Sequence, residues 1–75
     1  MADKLLDAKG LSCPLPVLKA RRAMQDLKPG QVLEVHATDP GALQDFPNFC
    51  EAGGHSMIAQ SEAAGVYVFH IRKAG

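Results

Sequence analysis

Apolar and polar positions along this chain follow two different periods, and the switches between them predict its elements. Residues 5–8 are a short apolar run holding Asp7, with Gly10 just after, which predicts a first strand ending at the Gly10-Leu11-Ser12 turn. From residue 14 to residue 27 there is no glycine, and Val17, Ala20, Met24 and Leu27 recur at helical spacing to make one buried stripe. Lys28-Pro29-Gly30 ends that helix, because proline cannot continue it and glycine accepts the reversal. Residues 31–37 alternate, with Val32, Leu33 and Val35 around Glu34 and His36, and predict a second strand. Thr38-Asp39-Pro40 reads as the start of a second helix, with Asp39 capping the free amides and Pro40 at the first helical position. That helix runs over residues 40–52 with Leu43, Phe46, Phe49 and Cys50 inward and stops at Gly53-Gly54; Pro47 leaves open a split into two short turns. Residues 56–62 and 66–73 are two strands joined around Ala63-Ala64-Gly65, with Val66, Val68 and His70 on one face and Tyr67, Phe69 and Ile71 on the other.

The element order is therefore βαβαββ. Because a β-α-β crossover is right-handed in nearly all cases, both helices are expected on one face of a four-stranded mixed sheet, an α/β (α+β) two-layer sandwich. A length of 75 residues fits one domain over 1–75 with one core and little room for a deep pocket.

Charge narrows the partners. Eight Lys+Arg balance eight Asp+Glu, so the chain lacks the basic footprint that phosphate contacts need, and no direct nucleic-acid binding is expected. The opening MADKLLDAKG has neither the basic stretch nor the apolar run of a signal peptide, and no run of about 18 apolar residues occurs. The expectation is a cytoplasmic, monomeric protein that does not enter a membrane. In that reducing compartment a Cys13–Cys50 disulfide is disfavoured. The two cysteines and His36, His55 and His70 fall at no zinc-ligand spacing, so neither a metal nor another cofactor is expected.

The chemistry concentrates at Ser12-Cys13-Pro14-Leu15-Pro16. Both prolines fit the first turn of the helix, where their missing amides had no helical partner, and they pin Cys13 at the N-cap. Free amides and the positive end of the helix dipole there predict a lowered thiol pKa and a stabilised persulfide anion. No His or Asp lies close in sequence to act as a base for Cys13, and thiol exchange at sulfur needs no oxyanion hole. At roughly 100° per residue, Leu15, Leu18, Lys19 and Arg22 fall opposite Val17, Ala20 and Met24, which predicts an exposed leucine pair with a basic rim as a protein-docking surface. Arg21, Arg72 and Lys73 add further basic surface.

The chain resembles the TusA (SirA-like) family of sulfur carriers, whose hallmark is a Cys-Pro-x-Pro motif at the start of the first helix. Here the motif is Cys13-Pro14-Leu15-Pro16, and the resemblance extends to Leu6-Asp7-Ala8, Gly10-Leu11, Pro29-Gly30, Thr38-Asp39-Pro40, Asp45-Phe46-Pro47, Phe49-Cys50 and Ile71-Arg72-Lys73. It implies a persulfide on Cys13, loaded by a cysteine desulfurase or rhodanese-type donor and unloaded onto a downstream sulfur relay protein. The leading destination it implies is 2-thiouridine in tRNA, with dissimilatory sulfur oxidation and molybdenum-cofactor synthesis as other branches. Ser12 and Leu15 depart from the tRNA-thiolation pattern, in which an Arg often precedes the cysteine and an acidic residue often separates the prolines. Cys50 is expected in the core, with a resolving thiol as the alternative. Asp39 is expected to act as a cap and not as a catalytic acid. A thiol redox sensor and a regulatory module are the competing classes.

Overall fold

In the computed structural model, which describes residues 2–74, the two periods resolve into six elements: β1 (Lys4–Ala8), α1 (Leu15–Gln25), β2 (Val32–Ala37), α2 (Ala42–Gly53), β3 (Ser56–Ala63) and β4 (Val66–Arg72). The sheet order is β1-β2-β4-β3, with β1 parallel to β2 and β4 antiparallel to both of its neighbours. Since β4 reverses between them, β3 runs parallel to β2, and α1 and α2 are both crossovers between parallel strands. This is the expected four-stranded mixed sheet, with α1 packed over β1 and β2 and α2 over β3 and β4.

Register decides what each strand buries. Val35 lies opposite Leu6 on one side and Phe69 on the other, so Leu33, Val35, Ala37, Phe69 and Ile71 all turn toward the helices and are fully or nearly fully buried. Glu34, His36 and His70 turn to the open face. At the β3–β4 hairpin Ala63 pairs with Val66, and both intervening residues have positive φ (Ala64 52°, Gly65 80°), as the twist of a two-residue loop requires.

α1 presents Pro16, Ala20, Ala23 and Met24 to the sheet, continued by buried Leu27, while Val17 is half-buried at the seam with α2. Two alanines in that stripe let the helix axis approach the strands. α2 differs from expectation at its start. It begins at Ala42 with Gly41 at the N-cap and no side-chain cap, so neither Asp39 nor Pro40 has the role predicted for it. The inward rungs are Ala42, Phe46, Phe49 and Cys50, and Leu43 is 42% exposed because Ala42 occupies the rung above Phe46. Pro47 does not split the helix. It lies on the exposed side, as does Leu43, whose carbonyl Pro47 cannot serve, so the lost helical bond faces solvent. Gly54, with φ 73°, closes α2 as the glycine pair predicts.

Phe46 sits at the centre of the core with no exposed surface, its ring stacked on Phe69 at 4.7 Å and edge-on to Phe49 at 6.4 Å. Truncation there leaves a hole that the sheet and α1 cannot both move to fill. Phe46→Ala is expected to cost about 3–5 kcal/mol in urea unfolding followed by circular dichroism, which for a chain this short is much of the total stability.

On the open face Glu34 accepts from His36 Nε2 at 2.6 Å and from His70 Nε2 at 3.0 Å, the second across the β2–β4 pair. Those hydrogen bonds, His36 first and His70 second, hold the Glu34 carboxyl below the ordinary carboxylate range. Unfolding restores the ordinary value, so the unfolded chain binds the extra proton, and the contribution is present above about pH 4.3 and is lost as pH falls through the folded value. Glu34→Gln should therefore lower the urea midpoint at pH 6 and leave it closer to that of the parent chain at pH 3.

Candidate functional site

Parallel pairing of β1 with β2 brings the loops that follow them to the same edge of the sheet. The first loop runs from Lys9 to Pro14 and the second from Thr38 to Gly41, and they are tied together by a Gly10 N–H bond to Thr38 Oγ1 at 3.0 Å. Gly10, at φ 82°, makes the reversal out of β1, and the chain then reaches Cys13 just before α1. Gly41 is required by the fit: a Cβ there would lie 2.8 Å from Asp39 Oδ2 and 3.3 Å from the Cys13 Cβ. Its absence lets the second loop close on the cysteine.

Cys13 is exposed and free. Its backbone N–H donates to Asp39 Oδ2 at 3.1 Å, and its Sγ donates to Asp45 Oδ2 at 2.7 Å. Asp39 therefore serves the cysteine and not the helix it was expected to cap. The thiol pKa is raised, first by the hydrogen bond to Asp45, then by desolvation, then by the negative charges of Asp45 and Asp39.

This overturns the expectation of a lowered value, and the reason is local. Pro14, not Cys13, is the N-cap of α1, which puts the sulfur one residue outside the helix. The same prolines that start the helix also strip it of N–H groups: Pro14 and Pro16 have none, and the Leu15 N–H is taken by the Ser12 carbonyl at 2.9 Å. Few amides remain to attract an anion, while two carboxylates face it.

The other predicted residues fall as follows. Pro14 is exposed and Pro16 is buried in the first turn. Leu15 and Leu18 are 46% and 48% exposed and share a shallow groove of about 440 Å³ with Lys19 and Arg22, so all four stand together on the outer face of α1. A second groove of about 430 Å³ runs between α1 and α2, lined by Cys13, Val17, Arg21, Asp45 and Phe49 among others. Cys50 is buried on the inner face of α2, where burial pushes its thiol pKa up, consistent with core packing. His55 packs against Phe49, and its Nδ1 accepts the Ala74 N–H at 2.9 Å; His70 pairs with Glu34. Among the described residues no group of three or more His, Cys, Asp and Glu side chains is placed to hold a metal, and no described helix is long and apolar enough to cross a membrane.

Asp45 is the residue that sequence reasoning missed. It lies 32 positions from Cys13, in a stretch noticed only as Asp45-Phe46-Pro47. The usable signal was topological: two loops after parallel neighbouring strands meet, so an acid in the first turn of α2 comes within reach of a residue just before α1.

Known proteins resemble this chain in sequence and fold. A family model described as Sulfurtransferase TusA matches residues 4–73. The chain is 48% identical over 71 residues to a sulfur carrier protein TusA of Pseudomonas aeruginosa strain PAO1, covering 95% of this chain and 90% of that one. It is 43% identical over 72 residues to a sulfur carrier protein TusA of Allochromatium vinosum, covering 96% and 95%. The crystal structure of a SirA-like protein from Desulfitobacterium hafniense superposes with a TM-score of 0.83 at 26% identity, covering 96% of this chain and 99% of that one. With a family model matched over residues 4–73 and curated relatives at 43–48% identity over nearly its whole length, this chain belongs to the TusA sulfurtransferase family.

Proposed function

We propose that this domain carries sulfane sulfur as a persulfide on Cys13, taking it from a donor protein and delivering it to a second protein. One observation carries the reading: an exposed, free thiol at the Cys-Pro-Leu-Pro start of α1 in a member of a sulfurtransferase family. In loading, the Cys13 sulfur attacks the outer sulfur of the donor's persulfide. A new S–S bond forms at Cys13, the donor's S–S bond breaks, and the donor cysteine leaves with the bonding pair and takes up the proton. Delivery repeats the step with Cys13 as the leaving sulfur, so no net oxidation or reduction occurs.

The donor is a cysteine desulfurase or a rhodanese-type protein, and the acceptor is the next protein of a sulfur relay. The destination we assign first is 2-thiouridine in tRNA, on the strength of the family resemblance; sulfur oxidation and molybdenum-cofactor synthesis are the other branches, and Ser12 and Leu15, flanking the sulfur, are where this chain would select between partners. A carrier that meets two proteins in turn is served by a cytoplasmic monomer. The exposed Leu15, Leu18, Lys19 and Arg22 are the docking surface for the donor, because an apolar pair with a basic rim lies one helix turn from the sulfur.

Two experiments test this. After incubation with a cysteine desulfurase and cysteine, mass spectrometry should find one added sulfur atom on the Cys13 peptide, removable by a reducing thiol, and Cys13→Ser should carry none. Sulfur on the serine variant would refute the assignment. Leu15→Ser with Leu18→Ser should slow loading from the desulfurase about tenfold, equivalent to about 1.4 kcal/mol of lost contact, while inorganic polysulfide loads the variant and the parent at equal rates. Equal rates from the protein donor would remove the docking surface.

A further inference from the structure

The carrier reading leaves one contact in the site without a task. Asp45, half-buried in the first turn of α2, takes the Cys13 thiol hydrogen at 2.7 Å. Asp39, in the loop before α2, takes the Cys13 backbone N–H at 3.1 Å. On the α1 side of the groove stands Arg21, lining the same cavity as Cys13 and Asp45. Two carboxylates from the α2 side thus meet Cys13, one at the sulfur and one at the backbone, and a guanidinium from α1 lines the same groove.

A carboxylate oxygen can accept a hydrogen from a thiol, and a thiol is what the empty carrier presents. It cannot do so from the loaded carrier. A persulfide is more acidic than its parent thiol, so its terminal sulfur is an anion with no hydrogen to give, and the oxygen that attracted the first species repels the second. We infer that Asp45 is a positioning residue that distinguishes the empty carrier from the loaded one: it anchors the protonated Cys13 thiol against α2, and it turns the anionic terminal sulfur away from α2 toward the Arg21 side of the groove. The second half rests on the carrier reading; the first half does not.

Atoms balance in the exchange. The donor's persulfide anion and the Cys13 thiol become the Cys13 persulfide anion and the donor's thiol, so the hydrogen that bridged Sγ to Asp45 Oδ2 departs on the donor cysteine. Two consequences follow. The empty carrier keeps its hydrogen on sulfur until a donor is docked. The loaded carrier holds its cargo on the side open to an acceptor.

Titration of the Cys13 ¹³Cβ chemical shift in the full chain tests the anchor without any donor. The expected midpoint lies above that of an ordinary cysteine thiol; a midpoint at or below it overturns the proposal, whatever becomes of any variant. Asp45→Asn should shift the midpoint down and raise the rate of Cys13 alkylation by iodoacetamide at pH 7.5 by about threefold or more. Asp39→Asn should have a smaller effect, since that carboxylate bonds the backbone and not the sulfur. Coincident titrations for Asp45→Asn and the parent, or equal effects of the two variants, would sink the idea. With chain loaded from polysulfide, the ratio of loaded to empty alkylation rates should fall in Asp45→Asn, and an unchanged ratio rejects the discrimination. Failure of Cys13 to take sulfur from any protein donor would instead strike the carrier reading and leave the titration standing.

Discussion

Pairing of β1 with β2 in parallel is the constraint from which the site follows. Parallel neighbours send their outgoing loops to one edge of the sheet, so the turn after Ala8 and the turn after Ala37 meet there, and each then enters a helix that packs back over the same face. Cys13 stands between them. Had the two strands been antiparallel, Asp39 and Asp45 would lie at the far end of the sheet, and the cysteine would have only its own helix for company. The aromatic stack of Phe46 on Phe69 holds α2 over β4, and through α2 it holds the carboxylate that meets the sulfur.

How much of this could be read from the residues depends on how local each feature is. The strands and most of the inner stripe of α1 were legible because alternation and 3.6-residue spacing are repeated along consecutive residues, although Val17, expected in that stripe, is half-buried and Pro16 and Ala23 are buried beside Ala20 and Met24. The Cys-Pro-Leu-Pro start of α1 was legible because proline restricts its neighbours whatever the rest of the chain does. Asp39 was misread for the opposite reason. As the second residue of Thr-Asp-Pro it has every local mark of a cap, yet the Cys13 N–H arrives from 26 positions away and takes its carboxylate. Leu43 was placed inward on its hydrophobicity, but the geometry of the stripe gives the rung to Ala42, where a small side chain meets the sheet.

The acidity of Cys13 is the case in which a sound principle was outweighed. A helix start does favour an anion, but the favour is delivered by N–H groups, and this start is built from residues that lack them. Against that depleted field stand two side-chain carboxylates, one in direct contact with the sulfur. Nearest-neighbour hydrogen bonding dominates over a diffuse dipole for a group outside the first turn. In a domain this small the site is made of loop ends and a helix seam, because no interior remains to enclose one.

Asp3 is bonded to Val32 at the start of β2, and Lys73 to Gln31 beside it, so the incoming and outgoing chain lie together at the pole of the sheet opposite Cys13. A tether fixed beside Asp3 or Lys73 would therefore leave the reactive pole unobstructed.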